Sequence, residues 1–324
     1  MKILVVGGAG FIGSVLCREL LESNIKVRVL DNLSFGGESL LPFLPDKRFE
    51  LYKGDIRNRT DVTKSLHNID QVINLAALVG EHACAPQPAK AWDINYKAAV
   101  FLASQAKKNR IAKFIFISTC SNYGISNPEI LADEQSPLNP VSLYAQTKVK
   151  AEKDILDISD SKFCTCVLRL ATVFGISQRM RFDLLLNELV RDAFVNKSLL
   201  IFQPHAWRPL INVNDVCRVI FKSIKAPTKK LEKQVFNVGL DNFEKIELAK
   251  LVKKKINNIH IEISEKKTDK RDYCVSFKKM RKVFNFKPEI DINTGINELT
   301  DHLIQGIFPD PMNFRYSNLP WPKK

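Results

Sequence analysis

The stretch that most constrains this chain lies near its start, where KILVVG (residues 2–7) runs directly into GAGFIGSVL. A short apolar run, a cluster of glycines and a helical apolar pattern read as a strand, a tight turn and a helix. The glycines satisfy two spacings at once, Gly8-x-Gly10-x-x-Gly13 and Gly7-x-x-Gly10-x-x-Gly13. Glycine in such a turn lets the backbone close on a pyrophosphate, whose charge then rests at the helix N-terminus. Phe11 and Ile12, in the first helical turn, are expected to border the same group.

The next apolar run, KVRVLD (26–31), ends in Asp31, 18 residues after Gly13, and Asn32 follows it. A carboxylate there accepts both hydroxyls of an adenosine ribose and repels a 2′-phosphate. The expected cofactor is therefore NAD and not NADP. FELYKG (49–54) leads to Asp55 and Ile56, where an adenine edge would lie. QVINLA (71–76) ends in Asn74, Leu75, Ala76 and Ala77, residues small enough for a cofactor to pass close to the backbone.

Two further apolar runs, KFIFIS (113–118) and CTCVLRL (164–170), complete a series that alternates with helical patterns near 12–23, 58–67, 89–109 and 143–159. Near-continuous apolar strands alternating with amphipathic helices predict an α/β fold, a Rossmann-type doubly wound parallel sheet covered on both faces. After about residue 175 the texture changes. Helices are expected near 181–197, 214–225, 245–256, 276–284 and 293–305, separated by short strands and Pro- and Asn-containing loops. Residues 1–175 are read as the NAD-binding unit. Residues 176–324 are read mainly as a smaller substrate-binding lobe, with some segments returning to the sheet. The final FPDPMNFRYSNLPWPKK reads as an extended arm.

The 324 residues carry a net charge of +14, but the lysines and arginines are dispersed, with only short clusters such as Lys253-Lys254-Lys255. Nucleic-acid binding would concentrate them on one element, so a lysine-rich surface favouring small anionic substrates is expected instead. No apolar run reaches the roughly 18 residues needed to span a bilayer, and the opening strand does not read as a leader. The expectation is a cytoplasmic protein without membrane or nucleic-acid partners. Seven cysteines without a CxxC pair read as buried thiols and indicate no metal site.

KFIFIS leads into STCSNYG (118–124), which places Thr119 at the carboxyl edge of the sheet, where ligands bind in such folds. Tyr144 and Lys148, in LYAQTKVKAE, share one helix face. A phenol normally titrates near 10, but a neighbouring ammonium and a cationic nicotinamide both stabilise its phenolate. Tyr144 is thus a candidate general base, with Thr119 orienting a substrate alcohol.

With these residues in place, the chain resembles the extended short-chain dehydrogenase/reductase family, in its nucleotide-sugar epimerase/dehydratase branch. The resemblance rests on GGAGFIG, Asp31-Asn32, Gly54-Asp55, NLAA, STCSNYG, SLYAQTK, RLATVFG and WRPLINVNDV, and covers nearly the whole chain. It implies catalysis by Tyr144 and Lys148 with help from Thr119, hydride removal at C4 of a nucleotide-linked sugar, and a role in cell-surface polysaccharide synthesis. It also implies a homodimer packed through helices 89–109 and 143–159, where Val100, Phe101 and Ala151 are candidate contacts.

Within that branch, 4,6-dehydratases carry an acidic pair after the active-site threonine, whereas this chain has Cys120 and Ser121. A 4-epimerase needs no further acid and is the leading expectation, with Thr119, Cys120, Ser121 and His82 near the sugar. The alternative is a 4-dehydrogenase, to which RLATVFGISQRMRFDLLLNELV and KRDYCVSF are similar through a subgroup that includes GDP-heptose enzymes. A cofactor-binding scaffold without chemistry would be expected to have lost Tyr144, Lys148 or a loop glycine. The resemblance places Asn187 and Arg208 on the substrate diphosphate, and Arg271 is the second arginine expected there, because planar guanidinium groups bind phosphate oxygens well. Arg179 and Arg181 are further candidates. His82 and Cys84, in the loop ALVGEHAC (77–84), are placed over the sugar without an assigned role.

Overall fold

The computed structural model describes residues 1–125, 130–264, 266, 269 and 271–318. In chain order its strands are β1 (Lys2–Val6), β2 (Lys26–Asp31), β3 (Phe49–Lys53), β4 (Gln71–Asn74), β5 (Lys113–Thr119), β6 (Cys164–Leu170), β7 (Thr172–Phe174), β8 (Ser198–Phe202), β9 (Trp207–Asn212), β10 (Gln234–Val238), β11 (Asp241–Glu244) and β12 (His260–Ser264). The main sheet has the order β10-β6-β5-β4-β1-β2-β3 and is parallel at every pairing. The strand order reverses between β1 and β4, so a crevice opens at their carboxyl ends, where such folds take ligands.

Every residue of β5 and of β6 is buried, as strands covered on both faces require. One face packs on a large core that includes helix Phe11–Glu22 and helix Val213–Lys225. The other packs on a second core built from helices 59–65, 99–108 and 143–157. Ala151 is fully buried in this second core, and Val100 and Phe101 are only partly exposed.

The second lobe holds the small sheets β11-β9-β7 and β12-β8, with helices Leu185–Asn196, Lys245–Lys255 and Ile292–Ile304. Two segments beyond residue 175 return to the main sheet: β10 extends it beside β6, and helix 213–225 covers it. The helix expected from residue 181 begins only at Leu185, because Arg181 and Asp183 pair with each other in an irregular stretch facing the crevice. The C-terminal segment carries a short turn at Phe314–Tyr316 and packs Tyr316 edge-on against Phe182 and Phe308; residues 319–324 of the expected arm lie outside the described residues.

Lys113 joins the two halves. At 3% exposure, its Nζ donates to the carbonyls of Ser223, Ile224 and Ala226 at 2.9, 2.8 and 2.9 Å, capping helix 213–225 from the first residue of β5. A cation suits the negative end of a helix, and these carbonyls have no partner within the helix. Lys113→Met would leave them buried without a strong donor and should lower unfolding free energy by about 2–4 kcal/mol, read from urea midpoints.

Candidate active site

The crevice holds a cleft of about 1130 Å³ that runs from the glycine turn to the second lobe. Its cofactor half is shaped by close backbone approach. Gly7 has φ +84°, and a Cβ there would lie 2.8 Å from Ala76 N; a Cβ on Gly13 would lie 2.3 Å from Gly7 O. The turn therefore tolerates no side chain at either position and presents bare backbone beside Gly10, Phe11 and Ile12, which line the cleft. Asp31 accepts the N–H of Ala9 at 3.0 Å and of Leu33 at 2.8 Å. Burial pushes its carboxyl up, and these two backbone donors oppose the rise.

Asn32, Ile56, Leu75, Ala76 and Ala77 also line this half. Asp55 reaches it too, but Arg57 grips its carboxylate at 2.7 Å and holds it well below the usual range, and Asn32 Nδ2 donates to it at 3.2 Å. The cradle without Cβ atoms, the anchored carboxylate and the adjoining helix N-terminus fit a dinucleotide.

In the middle of the cleft, β5 delivers Thr119 and helix 143–157 delivers Tyr144 and Lys148. Ser142 caps that helix through Ala145 N at 3.1 Å, and Glu81 accepts the N–H of Tyr144 at 3.2 Å, tying the helix start to the loop after β4. Thr119 Oγ1 donates to Ser121 Oγ at 3.0 Å, and Ser121 Oγ lies 3.4 Å from the Tyr273 hydroxyl. His82 lies on the exposed rim of the cleft, while Cys84 is buried with its thiol 3.2 Å from Leu78 O.

The electrostatics differ from the sequence expectation. Burial pushes the Tyr144 phenol up, and the cations that oppose this are Arg181 and Arg271. Lys148 is itself enclosed, with Nζ 3.9 Å from the centroid of the Phe116 ring, and burial lowers it to about 7, opposed first by Glu152. Behind it, Glu152 is locked in a buried pair with Arg169 at 2.7 Å and accepts from Asn122 Nδ2 at 2.7 Å. Sharing a helix face does not make Lys148 the dominant charge at the phenol, because both groups lose solvent together.

The second lobe closes the far end. Arg208 Nη2 lies 3.0 Å from Asp269 Oδ2, while Arg271 holds the same carboxylate through Nη2 at 2.6 Å and Nε at 2.9 Å. Arg271 Nη1 also donates to Ser121 Oγ at 3.2 Å. Lys245 lines this end, and burial together with Arg208 lowers it to about 8. Lys245, Arg208 and Arg271 set three cations against Asp269 and the nearby Asp272, a local excess suited to a diphosphate.

Two expected substrate contacts are corrected. Cys120 is fully buried with its thiol 3.2 Å from Arg169 O, because the short turn after β5 sends Thr119 and Ser121 to the cleft and Cys120 to the core. Asn187, also fully buried, has its amide taken up by backbone: it accepts Gly175 N at 2.9 Å and donates to Arg181 O at 2.8 Å and Gly175 O at 3.2 Å. It shapes the loop that carries Arg179 and Arg181. Sequence reasoning missed Tyr273, Asp269 and Lys245. Tyr273 stands two residues from Arg271 in an extended segment, so period-2 alternation could have placed both on one side; Asp269 and Lys245 carry no local signal.

The family model described as the NAD dependent epimerase/dehydratase family matches residues 3–239. The chain belongs to this family. Over 307 residues it is 26% identical to a putative UDP-glucose 4-epimerase of Methanocaldococcus jannaschii, covering 92% of this chain and 97% of that one. It is 36% identical over 160 residues to the UDP-glucose 4-epimerase of Rhizobium meliloti, an alignment spanning about half of each chain. Among solved structures it is similar to the UDP-glucuronic acid 4-epimerase of Bacillus cereus in complex with UDP-glucuronic acid and NAD, with TM-score 0.83, 26% identity and coverage of 94% and 99%. It is also similar to the UDP-N-acetylglucosamine 4-epimerase of Methanobrevibacter ruminantium in complex with UDP-N-acetylmuramic acid, with TM-score 0.84, 25% identity and coverage of 94% and 98%. Among the described residues, no helix is long and apolar enough to cross a membrane.

Lys148 generates a pH signature. Its ordinary value of 10.5 falls to about 7 in the folded chain, so between these values the unfolded state binds a proton that the folded state has released. Stability from this residue rises with pH across that window. Lys148→Met should flatten the slope of unfolding free energy between pH 7.5 and 9.5 by at most about 1.4 kcal/mol per pH unit, measured by denaturant titration at each pH.

Proposed function

We propose that this protein is an NAD-dependent epimerase acting at C4 of a nucleotide-linked sugar. One juxtaposition carries the reading: a single cleft lines up the glycine cradle with Asp31, then Thr119, Tyr144 and Lys148, then Arg208, Arg271 and Lys245. A substrate whose diphosphate lies at the arginines would bring its sugar against the hydroxyls of Thr119, Ser121 and Tyr144. The 4-epimerase relatives support the reaction type. The two positions after Thr119 also disfavour dehydration, since Cys120 faces the core and Ser121 is not an acid.

Held at the glycine cradle and Asp31, NAD would supply the hydride acceptor and, when oxidised, a positive charge. Tyr144 takes the proton of the sugar hydroxyl and later returns it. Burial alone keeps it protonated; Arg181 and Arg271 favour the phenolate. Thr119, itself nearly buried, holds the substrate hydroxyl in line. The arginines hold the diphosphate while the oxidised sugar turns to present its other face.

Tyr144→Phe should lower turnover about a thousandfold or more while NAD still binds, because the proton acceptor is lost and the cofactor cradle is untouched. The assay is a panel of UDP-, GDP-, CDP- and dTDP-sugars followed by proton NMR and by absorbance at 340 nm. The expected result is a C4 stereoisomer without accumulating NADH. A keto sugar with stoichiometric NADH would replace epimerisation by dehydrogenation, and full activity in Tyr144→Phe would overturn the proton-transfer mechanism.

A further inference from the structure

Arg179 belongs to the irregular stretch that leads to helix 185–196, in the half of the chain expected to bind substrate. Its surroundings place it on the cofactor side of the cleft. The stretch rests on the first turn of helix Phe11–Glu22, since Ser177 Oγ donates to Phe11 O at 2.7 Å and accepts Arg179 N at 3.2 Å. The guanidinium carbon lies 4.7 Å from the centroid of the Phe35 ring, on the loop after Asp31. The stretch thus meets helix 11–22 through Ser177, and the Arg179 side chain meets the loop after Asp31 through Phe35.

Its charge lacks a dedicated counterion. Arg179 is 7% exposed, and its Nη groups donate to Met180 O at 2.6 Å, Ser317 O at 3.1 Å and Asn318 Oδ1 at 3.0 Å, all neutral acceptors. Asp183, the neighbouring carboxylate, is committed to Arg181 and to Asn318 N. Among the described residues Arg179 Nε is buried with no partner, and the side chain lines the cleft. Glu38 also lies close enough to Arg179 to favour its charge but makes no hydrogen bond to it, so Nε is the donor left open to an anion. Burial and the nearby Arg181 lower it to about 10, in keeping with that deficit.

We propose that Arg179 completes the cofactor pyrophosphate site from the opposite lobe, donating from Nε to a phosphate oxygen across from the N-terminus of helix 11–22, with Ser317 and Asn318 holding the guanidinium in place. A diphosphate is favoured over a 2′-phosphate because Asp31 stands at the end of β2. The substrate diphosphate has its own cations in Arg208, Arg271 and Lys245. Cofactor retention then depends on the C-terminal segment, which grips Arg179 from outside the sheet. This inference rests on the NAD assignment and not on the sugar reaction.

The test is calorimetric binding of NAD, ADP and adenosine, with UDP as a control for the Arg208–Arg271 end, together with NAD dissociation rates. Arg179→Gln is expected to weaken NAD and ADP by about ten- to a hundredfold, the range for a hydrogen bond to a charged group. It should speed NAD release and leave adenosine and UDP affinities unchanged. Asn318→Ala, which loosens the grip without removing the charge, should give a smaller loss of the same pattern and keeps the test readable if Arg179→Gln fails to fold. Unchanged NAD and ADP affinity in both variants would overturn the proposal, as would an equal loss for adenosine, which would mean a structural role. Wild-type protein that binds neither NAD nor ADP would overturn the cofactor assignment itself.

Discussion

The contact of Gly7 with the backbone after β4 is the constraint on which the rest of the cleft depends. A side chain at Gly7 would lie 2.8 Å from Ala76 N, and one at Gly13 would meet Gly7 O at 2.3 Å. Because both approaches are backbone against backbone, no repacking of a flexible side chain could relieve them. The turn is thereby held against β4, helix 11–22 is aimed at the crevice, and Asp31 is fastened to the turn through Ala9. Everything downstream is measured from that frame: β5 beside β4 sets Thr119, and the helix packed over β5 sets Tyr144 and Lys148.

The candidate catalytic groups sit in the cleft wall, Lys148 buried and Tyr144 half-buried, and this governs their charge. Tyr144 is driven toward its neutral phenol and Lys148 toward its neutral amine, each by burial first. The buried Glu152–Arg169 pair, tied to Asn122 just after Thr119, gives Lys148 a fixed negative neighbour within an otherwise low-dielectric region. A buried pair of this kind is weak evidence for added stability. Its position here argues for a role in fixing the geometry between the turn after β5 and helix 143–157. Arg181 and Arg271 act on the phenol from the second lobe, so its charge depends on how the two lobes meet.

That dependence explains which readings of the chain needed revision. The sheet strands and their covering helices were legible because period and burial are local properties, as the wholly buried β5 and β6 illustrate. The glycine cradle and Asp31 were legible because a strand, a turn and a helix in sequence have few arrangements. Cys120 was misplaced because a one-residue change of direction after a strand reverses which side chain meets the cleft. Asn187 was misplaced because nothing in a helical sequence reveals that an amide will be taken up by the backbone of Gly175 and Arg181.

The sequence by itself determined the parallel sheet, the cofactor turn and the Tyr144–Lys148 helix, since each arises from residues close together along the chain. Only the tertiary structure decided the shared clasp of Arg208 and Arg271 on Asp269, the partners of Lys113 more than a hundred residues away, and the turn of Arg179 toward the cofactor side. The physical reason is the same in each case. A charge buried without water takes whichever partner the packed fold brings within about 3 Å, and that partner can lie anywhere in the sequence.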